Sequence, residues 1–163
     1  MQSATRESRS AEWSPSIYYA HSVIHRALQD AWPLLLRYEA WNPGFAHARV
    51  TRLRGEARSE GELVLIQAMD EHGQPLPGIC AETVRIVSPR HIAWFVYPAD
   101  GCSFQNFLDF TLTEVSGAVR FDISWYSLDR LSGDALLKHR KETEAGAFSL
   151  TAAFRNYCET TLR

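Results

Sequence analysis

The chain has 163 residues, 45% of them hydrophobic and 22% charged, and its 17 basic against 19 acidic residues give a net charge of −2. One domain of ordinary globular composition is expected, long enough to bury a full core without a disulfide or metal scaffold. There is no basic excess or stripe that would mark a nucleic-acid partner, and no apolar run nears the roughly 20 residues of a membrane span.

The opening stretch, MQSATRESRSAE, is polar and has no apolar segment of the kind a secretory signal carries. Residues 1–14 are expected to be a disordered tail and 15–163 a single domain. The domain starts with a β-rich run, Ile17-Tyr18-Tyr19, and passes into a helical pattern of Ala27, Leu28, Ala31, Leu34, Leu35 and Tyr38. Pro33 falls inside that pattern. It allows a helix that starts near Asp30 with the proline early in it, or two short helices broken at the proline. Asn42-Pro43-Gly44 is a strong stop.

Six strands are expected next, over 47–55, 62–69, 79–87, 91–97, 103–114 and 118–128, separated by Gly-, Pro- and Ser-rich turns. Their spacing leaves no room for helical crossovers, so the sheet should be an antiparallel meander. The last strand alternates cleanly: Val119, Phe121, Ile123 and Trp125 share one face. The strand before it places Asn106, Leu108, Phe110 and Leu112 together, with Phe107, Asp109 and Thr111 opposite. Residues 132–163 form one long helix, capped by Ser132 or Asp134. Its apolar stripe runs through Leu136, His139/Arg140, Thr143, Ala147, Leu150, Phe154 and Tyr157/Cys158. Gly146 in mid-helix costs about 1 kcal/mol relative to alanine, and either a close approach to the sheet or room for something beneath would account for it. Cys80, Cys102 and Cys158 are odd in number and widely spaced, which fits reduced thiols and a cytoplasmic protein.

These elements make an α+β chain. A long helix laid across a strongly curved sheet touches it well at the centre and poorly toward one end, and the gap is a natural ligand pocket. The run Val23-Ile24-His25-Arg26-Ala27, followed by Ala31-Trp32, Leu35 and Trp41-Asn42-Pro43, resembles the opening of START/polyketide-cyclase-like (SRPBCC) proteins. Glu82-Thr83-Val84 with Ser88-Pro89-Arg90-His91-Ile92-Ala93-Trp94 resembles that superfamily's strand, proline turn and following strand. Pro33 and a shorter stretch from Leu35 to Trp41 depart from its pattern. The resemblance implies a helix-grip fold: a curved seven-stranded antiparallel sheet around a long C-terminal helix, with two short helices after the first strand.

Nucleotide-binding, hydrolase-elbow and zinc-protease motifs do not occur in the sequence. His21 and His25 do not share a helical face, and no metal or other cofactor is expected. The basic run 138–141 is followed by Glu142 and Glu144 and reads as a solvated helix face. Glu82 and Asp109 are carboxylates within strands. Parity points Asp109 outward and leaves Glu82 ambiguous. Asn106 falls on the apolar face, where its amide either orients a ligand or bonds to nearby backbone.

Two functions are compatible with this reading. The first is binding or carriage of a small hydrophobic molecule, lipid or polyketide-like, by Trp94, Asn106, Phe110, Phe121, Ile123, Trp125, Leu150, Phe154 and Tyr157. The second is a polyketide cyclase/dehydratase-type enzyme, whose candidates for acid–base work are Glu82, His91 and Tyr97. Phe95, Tyr97, Phe107 and Tyr126 fall on the opposite sheet face, an aromatic patch suited to a partner or a homodimer.

Overall fold

The computed structural model describes residues 13–101 and 103–161; the opening twelve residues and Cys102 lie outside them. Strand β1 (Ser14–Ile24) leads into helices α1 (Leu28–Leu35) and α2 (Tyr38–Trp41) and a 3₁₀ turn (Pro43–Phe45). Six strands follow: β2 (Ala48–Arg54), β3 (Leu63–Ala68), β4 (Ile79–Val87), β5 (His91–Pro98), β6 (Phe104–Val115) and β7 (Ala118–Asp129). Helix α3 (Gly133–Thr161) ends the described chain. β1 thus begins at the last residue of the expected tail. The seven strands form one antiparallel sheet in the order β1-β7-β6-β5-β4-β3-β2. The meander runs unbroken from β2 to β7, and β1 closes onto the free edge of β7. No helix among the described residues is long and apolar enough to cross a membrane.

Strand parity behaves as the sequence suggests. Phe121 and Ile123 of β7 and Leu108, Phe110 and Leu112 of β6 are buried on the concave face. Phe107, Asp109 and Thr111 point the other way and are partly exposed. On that convex face Phe95, Phe107, Tyr126 and Ile17 stand opposite one another across four neighbouring strands. Ile17 is 54% exposed and Tyr126 40%.

Pro33 behaves differently from either expectation. α1 starts at Leu28 and carries Pro33 inside it, with the break coming at Arg37 (φ −90°, ψ 49°). The proline ring lies on the exposed side, opposite buried Ala31, Trp32, Leu34 and Leu35, so only the bond to the Gln29 carbonyl is lost. The indole N–H of Trp41 donates to the Leu35 carbonyl at 3.1 Å, which satisfies an acceptor at the end of α1.

α3 lies across the concave face and packs mainly on β1 and β7. Its buried residues are Thr143, Ala147, Leu150, Thr151, Phe154 and Cys158, the 3.6-residue stripe with Thr151 added. Phe154 meets Phe121 at 4.6 Å between ring centroids and Trp41 at 5.0 Å. Phe110 stacks parallel to Phe121 at 6.1 Å and meets Trp94 edge-on at 5.0 Å. This aromatic cluster fills the concavity completely at one end.

A second anchor holds the β2–β3 loop. Glu62 is 2% exposed and accepts from the Tyr38 hydroxyl at 2.5 Å, the Arg52 Nε–H at 3.1 Å and the Arg58 backbone N–H at 2.7 Å. Burial first, and then the Glu62 carboxylate, keep the Tyr38 hydroxyl protonated far above its ordinary range, so it acts only as a donor. Gly55 closes the same loop with φ +78°, and a Cβ there would lie 2.7 Å from the Gly61 carbonyl oxygen. Only glycine fits.

Three outcomes follow from this packing. Phe154→Ala should cost about 3–5 kcal/mol in chemical denaturation, whereas Phe148→Ala, at a side chain 56% exposed on the same helix, should stay within about 0.5 kcal/mol. Tyr38→Phe should cost about 1–3 kcal/mol by leaving Glu62 short of a buried donor. Burial, partly opposed by Arg26, pushes the Cys158 thiol from 9.0 up to about 12. The unfolded thiol therefore loses its proton first, and stability present below pH 9 falls as pH rises through that window. Cys158→Val, measured by urea unfolding across this range, should lose less stability with pH than the parent.

Candidate ligand cavity

Beyond Leu150 toward its N-terminus, α3 turns small and polar: Gly146, Thr143 and His139 line the space there, with exposed Glu142 at its edge. Nothing on this half of the helix replaces the bulk of Phe154. A cavity of about 410 Å³ results. Its floor is Ile66, Ile79 and Ala81 on β3 and β4, and its walls include Trp94, Val96, Leu108 and Trp125. The turn after α2 supplies the rim through Asn42, Pro43 and Phe45. A Cβ on Gly146 would sit 3.6 Å from the Trp125 ring, an ordinary contact. The glycine is therefore not needed for close approach, and what it adds is room in the cavity.

The polar groups gather at one end. Asn106, 5% exposed, lines the cavity, and its side-chain oxygen lies 2.7 Å from the Ser127 hydroxyl. That hydroxyl lies 3.0 Å from Oδ1 of Asp129, a fully buried carboxylate. The same Oδ1 is 3.0 Å from Nε2 of His139, whose ring also lines the cavity and stacks on Phe104 at 6.3 Å. Asp129 Oδ2 and the indole N–H groups of Trp94 and Trp125 have no hydrogen-bond partner among the described residues.

Of the ligand-binding residues expected from sequence, Trp94, Asn106, Trp125 and Leu150 line this cavity. Phe110, Phe121, Ile123 and Phe154 are buried in the solid part of the core, where Trp41 occupies the space a ligand would need. Tyr157 is half-buried against that core. Among the described residues, Asn106 bonds to the Ser127 side chain.

The acid–base candidates lie elsewhere. Glu82 is on the convex face, where Arg54 Nη2 donates to it at 2.5 Å. His91 pairs with Asp109 across β5 and β6 on that same face. Tyr97 stands beside Phe95 there, at 5.3 Å between rings. The structure gathers none of the three at the cavity.

Asp129 escaped the sequence reading, and His139 was placed on the α3 stripe but not as a site residue. Only Lys138 and Lys141 of the basic run are exposed; His139 and Arg140 are half-buried, and Arg140 Nη2 donates to the Ser14 hydroxyl at 2.9 Å. That corrects the solvated-face reading. For Asp129 the signal was present in the alternation of Phe121, Ile123 and Trp125, which continues through Ser127 to Asp129. The expected strand stopped at Leu128, one residue short.

No family model and no curated protein sequence matches the chain. Solved structures do match. The crystal structure of Ara h 8.0201 superposes with a TM-score of 0.67 at 10% identity, over 90% of this chain and 99% of its own. The Zhui aromatase/cyclase from Streptomyces sp. R1128 gives 0.66 at 13% identity, over 92% and 97%. DynU16, from the dynemicin biosynthetic locus, gives 0.62 at 11% identity over 89% of this chain, which spans 48% of the DynU16 chain. With a seven-stranded antiparallel sheet gripping one long C-terminal helix, and these structures as its neighbours, the chain has the helix-grip fold of the START/polyketide-cyclase-like (SRPBCC) type.

Proposed function

We propose that the protein binds a small hydrophobic molecule, lipid or polyketide-like, between the sheet and the N-terminal half of α3. The observation that carries this reading is a cavity of about 410 Å³ with apolar and aromatic walls and one polar end. Ligand pockets have this size and this distribution of groups. The solved neighbours support the ligand class: one is an aromatase/cyclase and another comes from a biosynthetic locus. Acid–base chemistry of the cyclase/dehydratase type in the same cavity draws no support from Glu82, His91 or Tyr97, which face away from it.

Titration with a panel of fused-ring and acyl lipophiles tests the reading. A ligand at one hundred times its dissociation constant should stabilise the fold by about 2.7 kcal/mol, seen as a rise in melting temperature. Gly146→Leu makes the decisive control. It should stabilise α3 by up to about 1 kcal/mol through helix propensity while its side chain fills the cavity and abolishes the ligand-induced rise. A ligand response that survives this substitution places binding elsewhere.

A further inference from the structure

We propose that the cavity selects ring systems that carry a hydroxyl group, because buried Asp129 orders Ser127 and Asn106 so that a hydrogen-bond acceptor is left facing the ligand. This rests on the reading that the cavity binds an apolar molecule, and it names the chemical class.

Asp129 ends β7, in register with Ser14 of β1 on one side and Phe104 of β6 on the other. A carboxylate with no solvent exposure must be met by donors. Among the described residues two groups reach its Oδ1, the Ser127 hydroxyl and His139 Nε2, both at 3.0 Å. Ser127 is also 2.7 Å from the Asn106 amide. One hydroxyl carries one proton, so it cannot donate to both. The charged acceptor makes the stronger bond, and the proton goes to Asp129. Ser127 then accepts from Asn106, whose amide turns its NH₂ toward the serine at no cost in shape.

The chain of donors now runs from Asn106 through Ser127 to Asp129, and His139 meets Asp129 from the other side. Each end of this chain lines the cavity, and the Asn106 end is left with an acceptor. Asn106 keeps its carbonyl oxygen. The His139 ring, its Nε2 held by Asp129 at 3.0 Å, forms the wall at the other end. An acceptor left unpaired in an apolar cavity costs free energy, and a ligand O–H removes that cost while a methyl group cannot. His139 and Asn106 would touch the ligand. Asp129 does not line the cavity and is a positioning residue.

The test compares 2-naphthol with 2-methylnaphthalene, the same ring with a hydroxyl or a methyl group of similar size, by isothermal titration of the full chain. Water-to-apolar transfer alone favours the methyl compound. The wild-type protein should reverse that order and bind 2-naphthol roughly tenfold tighter, the worth of about one net hydrogen bond. Asn106→Leu should reduce the preference. The double variant Asp129→Leu with His139→Phe leaves no unpaired buried carboxylate, so it should fold; the ratio of its two affinities should lose the preference for the hydroxyl. Equal or inverted affinities in the wild type overturn the selection and leave the cavity reading standing. A hydroxyl preference that persists in the double variant also overturns it, and reduces the pair to a structural tie. Failure of both compounds to bind overturns the cavity reading and the selection together.

Discussion

The indole of Trp41 lies 5.0 Å from Phe154 of α3 and about 6 Å from Phe110 and Phe121 of the sheet, while its N–H is held by the Leu35 carbonyl. One side chain thereby joins the short helices, the long helix and the concave sheet face. Its ring fills the deepest part of the concavity, and each fully buried aromatic of this size stabilises the fold by a few kcal/mol at about 25 cal/mol per Å². The helix is therefore seated at its C-terminal half and spaced from the sheet at the other. The cavity lies where this cluster stops.

The same contact explains which part of the site could be read in advance. Strand order, face and the stripe on α3 follow from period-2 and period-3.6 patterns that single segments carry. The division between filled core and open cavity depends on a tryptophan from a different element, so Phe110, Phe121 and Phe154 were indistinguishable from Trp94 and Trp125 by pattern alone. Glu82 was ambiguous for a local reason. β4 carries an irregularity between Thr83 and Arg85, so Cys80 and Glu82 face out before it, while Arg85 and Val87 face out after it. An extra residue in a strand reverses parity, and no single alternation describes the segment. α1 accepted Pro33 because the ring could face solvent, a choice fixed by the buried flank rather than by propensity.

Placing Asp129 in the interior runs against stability. A buried carboxylate held by one hydroxyl and one imidazole is worth no more to folding than apolar residues of the same volume would be. Glu62 shows the contrasting case: it is nearly as buried, but three donors from Tyr38, Arg52 and Arg58 satisfy both of its oxygens, and it faces loop and helix rather than a void. One acidic residue serves architecture. The other leaves Oδ2 without a partner among the described residues beside a cavity, an arrangement that costs the fold something.

Gly146 divides α3 into halves of unequal tenacity. On its N-terminal side only Thr143 is buried, and on its C-terminal side Ala147, Leu150, Thr151, Phe154 and Cys158 are. Local opening free energy follows the apolar surface that must be exposed, so the first four turns of the helix should open at a lower free energy than the rest. The flexible residue sits at the boundary between the two. Fraying of the half-helix over the cavity would therefore leave undisturbed the aromatic cluster that keeps the molecule folded.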